Sequence, residues 1–369
     1  MLKKIDIYII KKFLTTFFFM LAIIMLLAMV FDISEKLSDF LDKNAPLLKI
    51  MTNYYVNFLI YYGNTFSSMI IFISVIWFTA KMAQDSEIIP IMFSGQPFTR
   101  FLRPYLISAT ILMLISLFLN HYLVPLSNKS RLDFEDKYYR DRIAVENFYA
   151  EFPGNENVYL DNYTSDEGVV YNLKIEKWNG KKELTSFLFA ASAVNKPGTN
   201  VWTLKDYYVR RVDNADEKQV EKGNVIADKL TAGKQMDTVL NFRAGDIAVR
   251  DNYSETMGYQ ELKEFIKREK AKGSANVVQH EIELYRRTSY PFATYVLTLI
   301  GVAVSSRKSR GGIGASIALG LGFVFIYIFA MKVTTVAAIN VGFPSQLAVW
   351  IPNLIFLLIG IYLYKLTPK

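Results

Sequence analysis

Charge-free apolar runs stand at both ends of this chain, and a mixed, alternating region fills the middle. Residues 13–31 carry no charged side chain, and at about 1.5 Å per residue a helix of that length nearly crosses a hydrocarbon core roughly 30 Å thick. Apolar runs also occupy 54–80, 289–304, 313–331 and 347–364, again without charge, and 101–124, with Arg103 near its start. The pattern predicts transmembrane helices in a three-plus-three arrangement. In the second run, Tyr61, Tyr62, Gly63 and Asn64 precede an uninterrupted apolar stretch. Polar groups at that depth need a protein partner, so this face is expected to point into the bundle.

Between the third and fourth runs the period changes. NVYLDNYT, VVYNLKIEKWNG, ELTSFLFAASAVN and VWTLKDYYVRRVD alternate β-branched or aromatic residues with polar ones and are separated by Gly, Asn, Asp and Pro. They predict an antiparallel sheet domain over 127–256, most simply a sandwich or jelly roll. Helices 1–3 then fill 1–126, and 257–369 holds a linker helix, with Leu262, Phe265 and Ile266 on one face, followed by helices 4–6. The fold class expected is an α-helical membrane protein of six spans with an inserted antiparallel β-jellyroll-like domain.

Charge orients this plan. Lys3, Lys4, Lys11 and Lys12 precede the first run, whereas acids and lysines nearly balance after it, which places the N-terminus in the cytoplasm. Arg307, Lys308 and Arg310 lie between the fourth and fifth runs, and Lys365 and Lys369 end the chain. By count of crossings both positions are cytoplasmic, in agreement with the charge rule. The net charge of +8 across 369 residues is thus explained by topology rather than by nucleic acid. The first run is long and lacks a small-residue cleavage site, so it reads as a retained helix.

The polar interlude 80–104 is the most informative stretch. In it Ile88, Ile89, Met92 and Phe93 alternate with Asp85, Ser86 and Glu87 and then Ser94 and Gly95, which predicts a short amphipathic helix within 84–95. QDSEIIPIMFSGQPFTRFLRP is similar to the S-E-φ-x-x-x-x-x-S-G segment (φ apolar) of the LptF/LptG permeases of the lipopolysaccharide exporter. HEIELYRRTSYPFATYVLTLIGVAVSSRKSRGG resembles the same family's fourth helix, where an E-x-x-R-R-x-x-x-P run enters the membrane. Together with the helix–sheet–helix layout, the resemblance extends over essentially the whole chain.

The resemblance implies a permease subunit in the bacterial inner membrane, with its sheet domain in the periplasm. It further implies a second LptF/LptG-type permease, a cytoplasmic LptB-like ATPase dimer holding ATP and Mg, and LptC-like and LptA-like bridge proteins. Lipopolysaccharide would enter sideways between helices 1 and 5 of the two permeases. The short helix would be the coupling helix, with Ser86, Glu87, Ser94 and Gly95 as its motif residues.

Residue chemistry adds roles beside the resemblance. Glu87 is expected to pair with a partner's arginine; the plainer alternative is an N-terminal-turn acid favoured by the helix dipole, with Ser86 or Asp85 as cap. A phosphorylated lipid needs cations at the rim of an apolar site, and Lys36, Lys129, Arg131 and Lys332 are the candidates. The family often places a lysine at the very end of helix 1, whereas here Ala28, Met29 and Val30 are apolar and Lys36 stands beyond Asp32 and Glu35. An ordinary solvated lysine is the alternative there. Gly314, Ala318 and Gly322 recur every four residues, with Ser316 and Gly320 on a neighbouring line. The spacing suits either a lateral-gate seam or tight packing inside one bundle.

Catalysis is not expected of this chain. No G-x-x-x-x-G-K-[ST] run exists, for Gly180 and Gly233 precede lysines without the rest of the motif. There is no cysteine, and His121 and His280 are the only histidines and lie far apart. Thiolate chemistry is therefore absent, and no metal site is expected. Two rival readings remain: a membrane-anchored assembly or sensor protein with an extracytoplasmic β domain, and an exporter of another lipid.

Overall fold

The computed structural model describes residues 3–95, 97–138, 144–152, 154–164, 168–180, 183–196, 199–211, 229–242, 247, 253–271, 274, 276–306 and 312–367. Arg307, Lys308, Arg310 and Lys369 lie outside them. Six described helices are long and apolar enough to cross a membrane. They belong to one compact unit, and the sheet belongs to another.

In the helical unit, α1 is Lys4–Asp42, α2 is Val56–Thr65 and α3 is Ser67–Gln84. The short α4 (Ile88–Phe93) leads to α5 (Phe98–Phe118), which continues through a wide turn into α6 (Val124–Tyr138). After the sheet come α7 (Tyr259–Ala271), whose residues from Glu264 on are grouped with the sheet unit, and then α8 (Val277–Ser305), α9 (Gly312–Val341) and α10 (Ser345–Leu366).

Two extents differ from expectation. The stretch from Ser127 to Tyr138, read from sequence as the start of the sheet domain, continues the third helix. Its charges satisfy one another along the helix, as Arg131 does with Glu135, and so do not end it. Helix α9 runs on to Val341, so Lys332 does not end it.

Helix α3 organises the bundle because both of its faces are buried. Ile70, Ile71, Val75 and Phe78 pack with Ile9, Phe13 and Phe17 of α1 and with Phe101, Tyr105 and Leu112 of α5. The four-residue spacing in α1 makes a single narrow stripe. Phe13, Phe78 and Tyr105 form a ring cluster with centroids 5.3–6.3 Å apart, and Thr79 shares a 3.1 Å hydrogen bond with Tyr105. On its other side α3 presents Phe72 and Ile76 to Ala293, Val296 and Ile300 of α8, Val324 and Tyr327 of α9 and Phe356 of α10. Lipid is as apolar as these side chains, so close fit and interhelical hydrogen bonds must hold the helices together. A Cβ on Gly320 would lie 2.2 Å from Ile76 Cδ1, so glycine is what lets α9 approach α3. Asn64 donates to Asn120 Oδ1 at 2.7 Å and accepts from Ser116 at 2.9 Å, which is the inward-facing polar group expected of the second span.

The sheet unit is one six-stranded antiparallel meander in the order β1 to β6. Its strands are β1 Ala144–Phe152, β2 Glu156–Thr164, β3 Val169–Trp178, β4 Leu184–Asn195, β5 Val201–Arg211 and β6 Lys229–Val239. The described strands have neither the second sheet of a sandwich nor the crossovers that define a jelly roll. They share with it the antiparallel pairing over an apolar face, built by Val158, Leu160, Leu173, Ile175, Ala190 and Trp202 among others. Trp202 is fully buried and its indole N–H donates to the Phe242 carbonyl at 3.0 Å, as a buried indole requires.

A crease crosses this sheet. Asn147, Asn172 and Asp206 adopt left-handed backbone conformations. Residues Asn147, Asp161, Asn172, Ala191, Asp206 and Lys234 stand opposite one another without ladder pairing, while the register is the same on both sides of them, as Tyr171↔Ser192 and Leu173↔Ala190 illustrate. At this line the inward positions change parity, from Val170 to Leu173 in β3 and from Ala190 to Ala193 in β4.

Candidate functional site

The interlude between α3 and α5 is built from two helix endings. Helix α3 closes where Glu87 N–H donates to Met82 O at 2.9 Å and Ser86 N–H donates to Ala83 O at 3.2 Å, the reciprocal pattern of a Schellman C-cap. Ser86 occupies its left-handed position with φ +61°, where glycine is usual. Ser86 is thus the terminator of α3, and Glu87 is the residue preceding α4. At the other end Ser94 Oγ donates to Ile91 O at 2.7 Å, and Gly95, with φ +75°, donates to Met92 O at 3.2 Å. Ser94 and Gly95 therefore stop α4.

Helix α4 itself is apolar on both faces, and the polar residues of the expected amphipathic helix fall at its two ends as Asp85, Ser86, Glu87 and Ser94. Ile88 is buried, and Ile91 and Met92 pack on the bundle core, whereas Ile89 is half exposed and Phe93 is 87% exposed. Glu87 accepts a hydrogen bond from Tyr8 Oη at 3.0 Å and is paired with Lys12 Nζ at 3.3 Å, with about a third of its side chain open. Lys12 also donates to Tyr8 Oη at 2.8 Å. Just past the interlude, Arg100 grips Asp6 through two parallel bonds of 2.7 and 2.6 Å. The Lys3 backbone N–H adds a 2.7 Å bond to the same carboxylate, which is buried. A cleft of about 190 Å³ beside them is lined by Ile5, Ile9, Ile91 and Phe101 around the Asp6–Arg100 pair. Sequence reasoning took the N-terminal lysines as topology signals and missed Asp6, Tyr8 and Lys12 as partners of the interlude; the lone acid among four lysines was the available signal.

The cation candidates separate by burial. Lys36 is buried, 2.8 Å from Asp32, bonded to Tyr54 Oη and lying over that ring at 4.8 Å. Arg131 is buried between Glu135 and Asn128, stacked on Tyr61 at 4.8 Å. Each of these two cations is paired with a carboxylate inside the fold, as a buried ion requires. Lys129 instead is exposed and lines a cleft of about 330 Å³ with Lys49 and Lys137, over Leu126 and Phe134 and beside Asp133. Lys332 is exposed within α9.

The Glu283, Arg286, Arg287, Pro291 run lies on α8. Arg287 is buried and donates to Met257 O and Ser254 O, both at 2.8 Å, and to Glu283 at 3.1 Å. Arg286 pairs with Glu283 at 2.7 Å and Glu255 at 3.4 Å, and Glu255 accepts from Tyr61 Oη at 2.5 Å. The motif therefore ties the 254–257 turn to the bundle.

Gly314, Ala318 and Gly322 form an exposed line on α9, with open space where the glycine side chains would be. Ser316 and Gly320 are the buried line.

Six apolar helices and an inserted antiparallel sheet define a multi-pass membrane protein. The chain matches the family model described as lipopolysaccharide export system permease LptF/LptG over residues 7–366, and it belongs to that family. No curated protein matches it.

Proposed function

We propose that this chain is a transmembrane subunit of an ATP-driven exporter that takes lipopolysaccharide from the inner membrane and passes it to a periplasmic bridge. The ATP and Mg would be bound by an LptB-like ATPase dimer at the cytoplasmic face, beside a second LptF/LptG-type permease and LptC-like and LptA-like proteins. The single observation that carries this reading is the family match over nearly the full length. The N-terminal lysines, with α4 near them, support a cytoplasmic position for that end. Phe93 and the open part of Glu87 offer an apolar anchor and an acid at the two ends of α4, groups that a partner's pocket and arginine would take.

On this reading the phosphates of the cargo are met at Lys129, Lys49 and Lys137, which line one cleft with Leu126 and Phe134. Lys36 and Arg131 are frame residues. The outward Gly314, Ala318 and Gly322 line is the flat side of α9 available to a neighbouring permease. Affinity purification of the parent chain should bring down a nucleotide-binding subunit with lipid-stimulated ATPase activity. Phe93→Glu should lose that subunit while remaining folded. A parent chain that brings down no ATPase would leave the anchored-sensor reading instead, and stimulation by a different lipid alone would reassign the cargo.

A further inference from the structure

Helix α1 is held near its start from two sides. At 100° per residue, Asp6 and the Tyr8–Lys12 pair point to faces about 120–160° apart. Asp6 meets Arg100, beyond the end of the interlude, and Tyr8 and Lys12 meet Glu87 at its beginning. The stretch 87–100 therefore closes around α1, and neither turning nor sliding of α1 within it leaves both pairs intact. The two pairs differ in kind. Asp6 is buried and held by a parallel two-bond grip, the most orientation-specific form of ion pair. Lys12 and Glu87 are partly open, at 23% and 34%, and their pair is weaker and more readily exchanged.

We infer that Asp6–Arg100 is a fixed pivot and Glu87–Lys12–Tyr8 an exchangeable catch, so that Lys12 and Tyr8 are positioning residues through which α1 is moved by the coupling segment. A partner cation that takes Glu87 frees Lys12 and lets α1 turn about the Asp6–Arg100 pair. The turn carries the exposed Phe18, Phe19, Leu26, Leu27 and Phe31 of the same helix. The transport role of this device rests on the proposed exporter reading; the catch itself belongs to this chain alone.

Two measurements test it. On the full-length chain in detergent, Lys12→Met should speed hydrogen exchange of the amides at 91–93 several-fold, with Lys11→Met, on an exposed neighbour, as the unaffected control. In the complex with its co-purified ATPase in lipopolysaccharide-containing proteoliposomes, Lys12→Met should lower lipid extracted per ATP hydrolysed about tenfold, within the usual range of coupling between sites. Lys12→Arg should restore both quantities, and the exchange Lys12→Glu with Glu87→Lys should restore the amide protection. Equal exchange in Lys12→Met and Lys11→Met would overturn the catch. Faster exchange with an unchanged extraction ratio would overturn its transmitting role. A chain that brings down no ATPase would fail the exporter reading, while the exchange arm still decides the catch.

Discussion

The two ends of α1 use the same chemistry in opposite ways. At its start, Asp6 and Lys12 reach residues distant in sequence, Arg100 and Glu87, so the ion pairs join separate elements. Toward its end, Lys36 pairs with Asp32 one turn away and is covered by Tyr54. The nearby Arg131 likewise pairs one turn along with Glu135. A local, covered pair serves to keep charge inside a fold, whereas a long-range, partly open pair joins parts that can move separately. Location beside a membrane face therefore does not by itself make a cation a ligand contact.

That contrast can be broken most sharply at the covered charges. Arg287→Leu should destabilise the solubilised protein by about 3–5 kcal/mol, because it leaves the Met257 and Ser254 carbonyls without these donors and takes from Glu283 one of its two arginine partners. Thermal unfolding in detergent reads the loss, and a change under about 1 kcal/mol would show that the 254–257 turn is anchored by other means. Next, Lys36→Met should cost about 3 kcal/mol and Lys12→Met less than about 1, although both remove one lysine from the same helix. Equal losses would erase the distinction between the two ends. The double change Asp32→Leu with Lys36→Met should recover most of the single loss, since it removes the stranded carboxylate as well. A smaller effect of opposite sign is expected at the interlude. Ser86→Gly should raise stability by about 0.5–1 kcal/mol by relieving the left-handed serine. The smallest is Lys129→Ala, within about 0.5 kcal/mol of the parent in stability, with weakened retention of lipopolysaccharide as its only marked phenotype.

The helices were legible because lipid demands continuous apolar length, a signal that needs no knowledge of tertiary contacts. Strands β2–β5 were legible for a similar reason, as their alternation is dense. Strands β1 and β6 were not. β1 has an apolar rhythm only over its short end, Phe148, Ala150 and Phe152, after Glu146 and Asn147, and β6 is an edge strand whose residues are nearly all exposed and include Gly233, so the first is brief and the second has none. A Cβ on Gly233 would lie 2.9 Å from Tyr207 Oη, which shows that the neighbouring strand supplies what β6 lacks. The position of Glu87 could be read from its spacing, but its partners could not. The link to Lys12 spans the turn between α1 and α2, two further helices and the α3 ending, and sequence separation hides such a meeting. The burial of Lys36 and Arg131 was hidden likewise, because the aromatic covers come from other helices.

The crease in the sheet constrains how such a chain can change. Each strand carries one residue at that line, and the bonds on either side match because every strand is lengthened equally there. Deleting Asn172 alone would put half of β3 one step out of step with both neighbours and turn its apolar side chains outward. A shortened descendant would have to lose all the members of the line together, so this seam is inherited as a single unit or not at all.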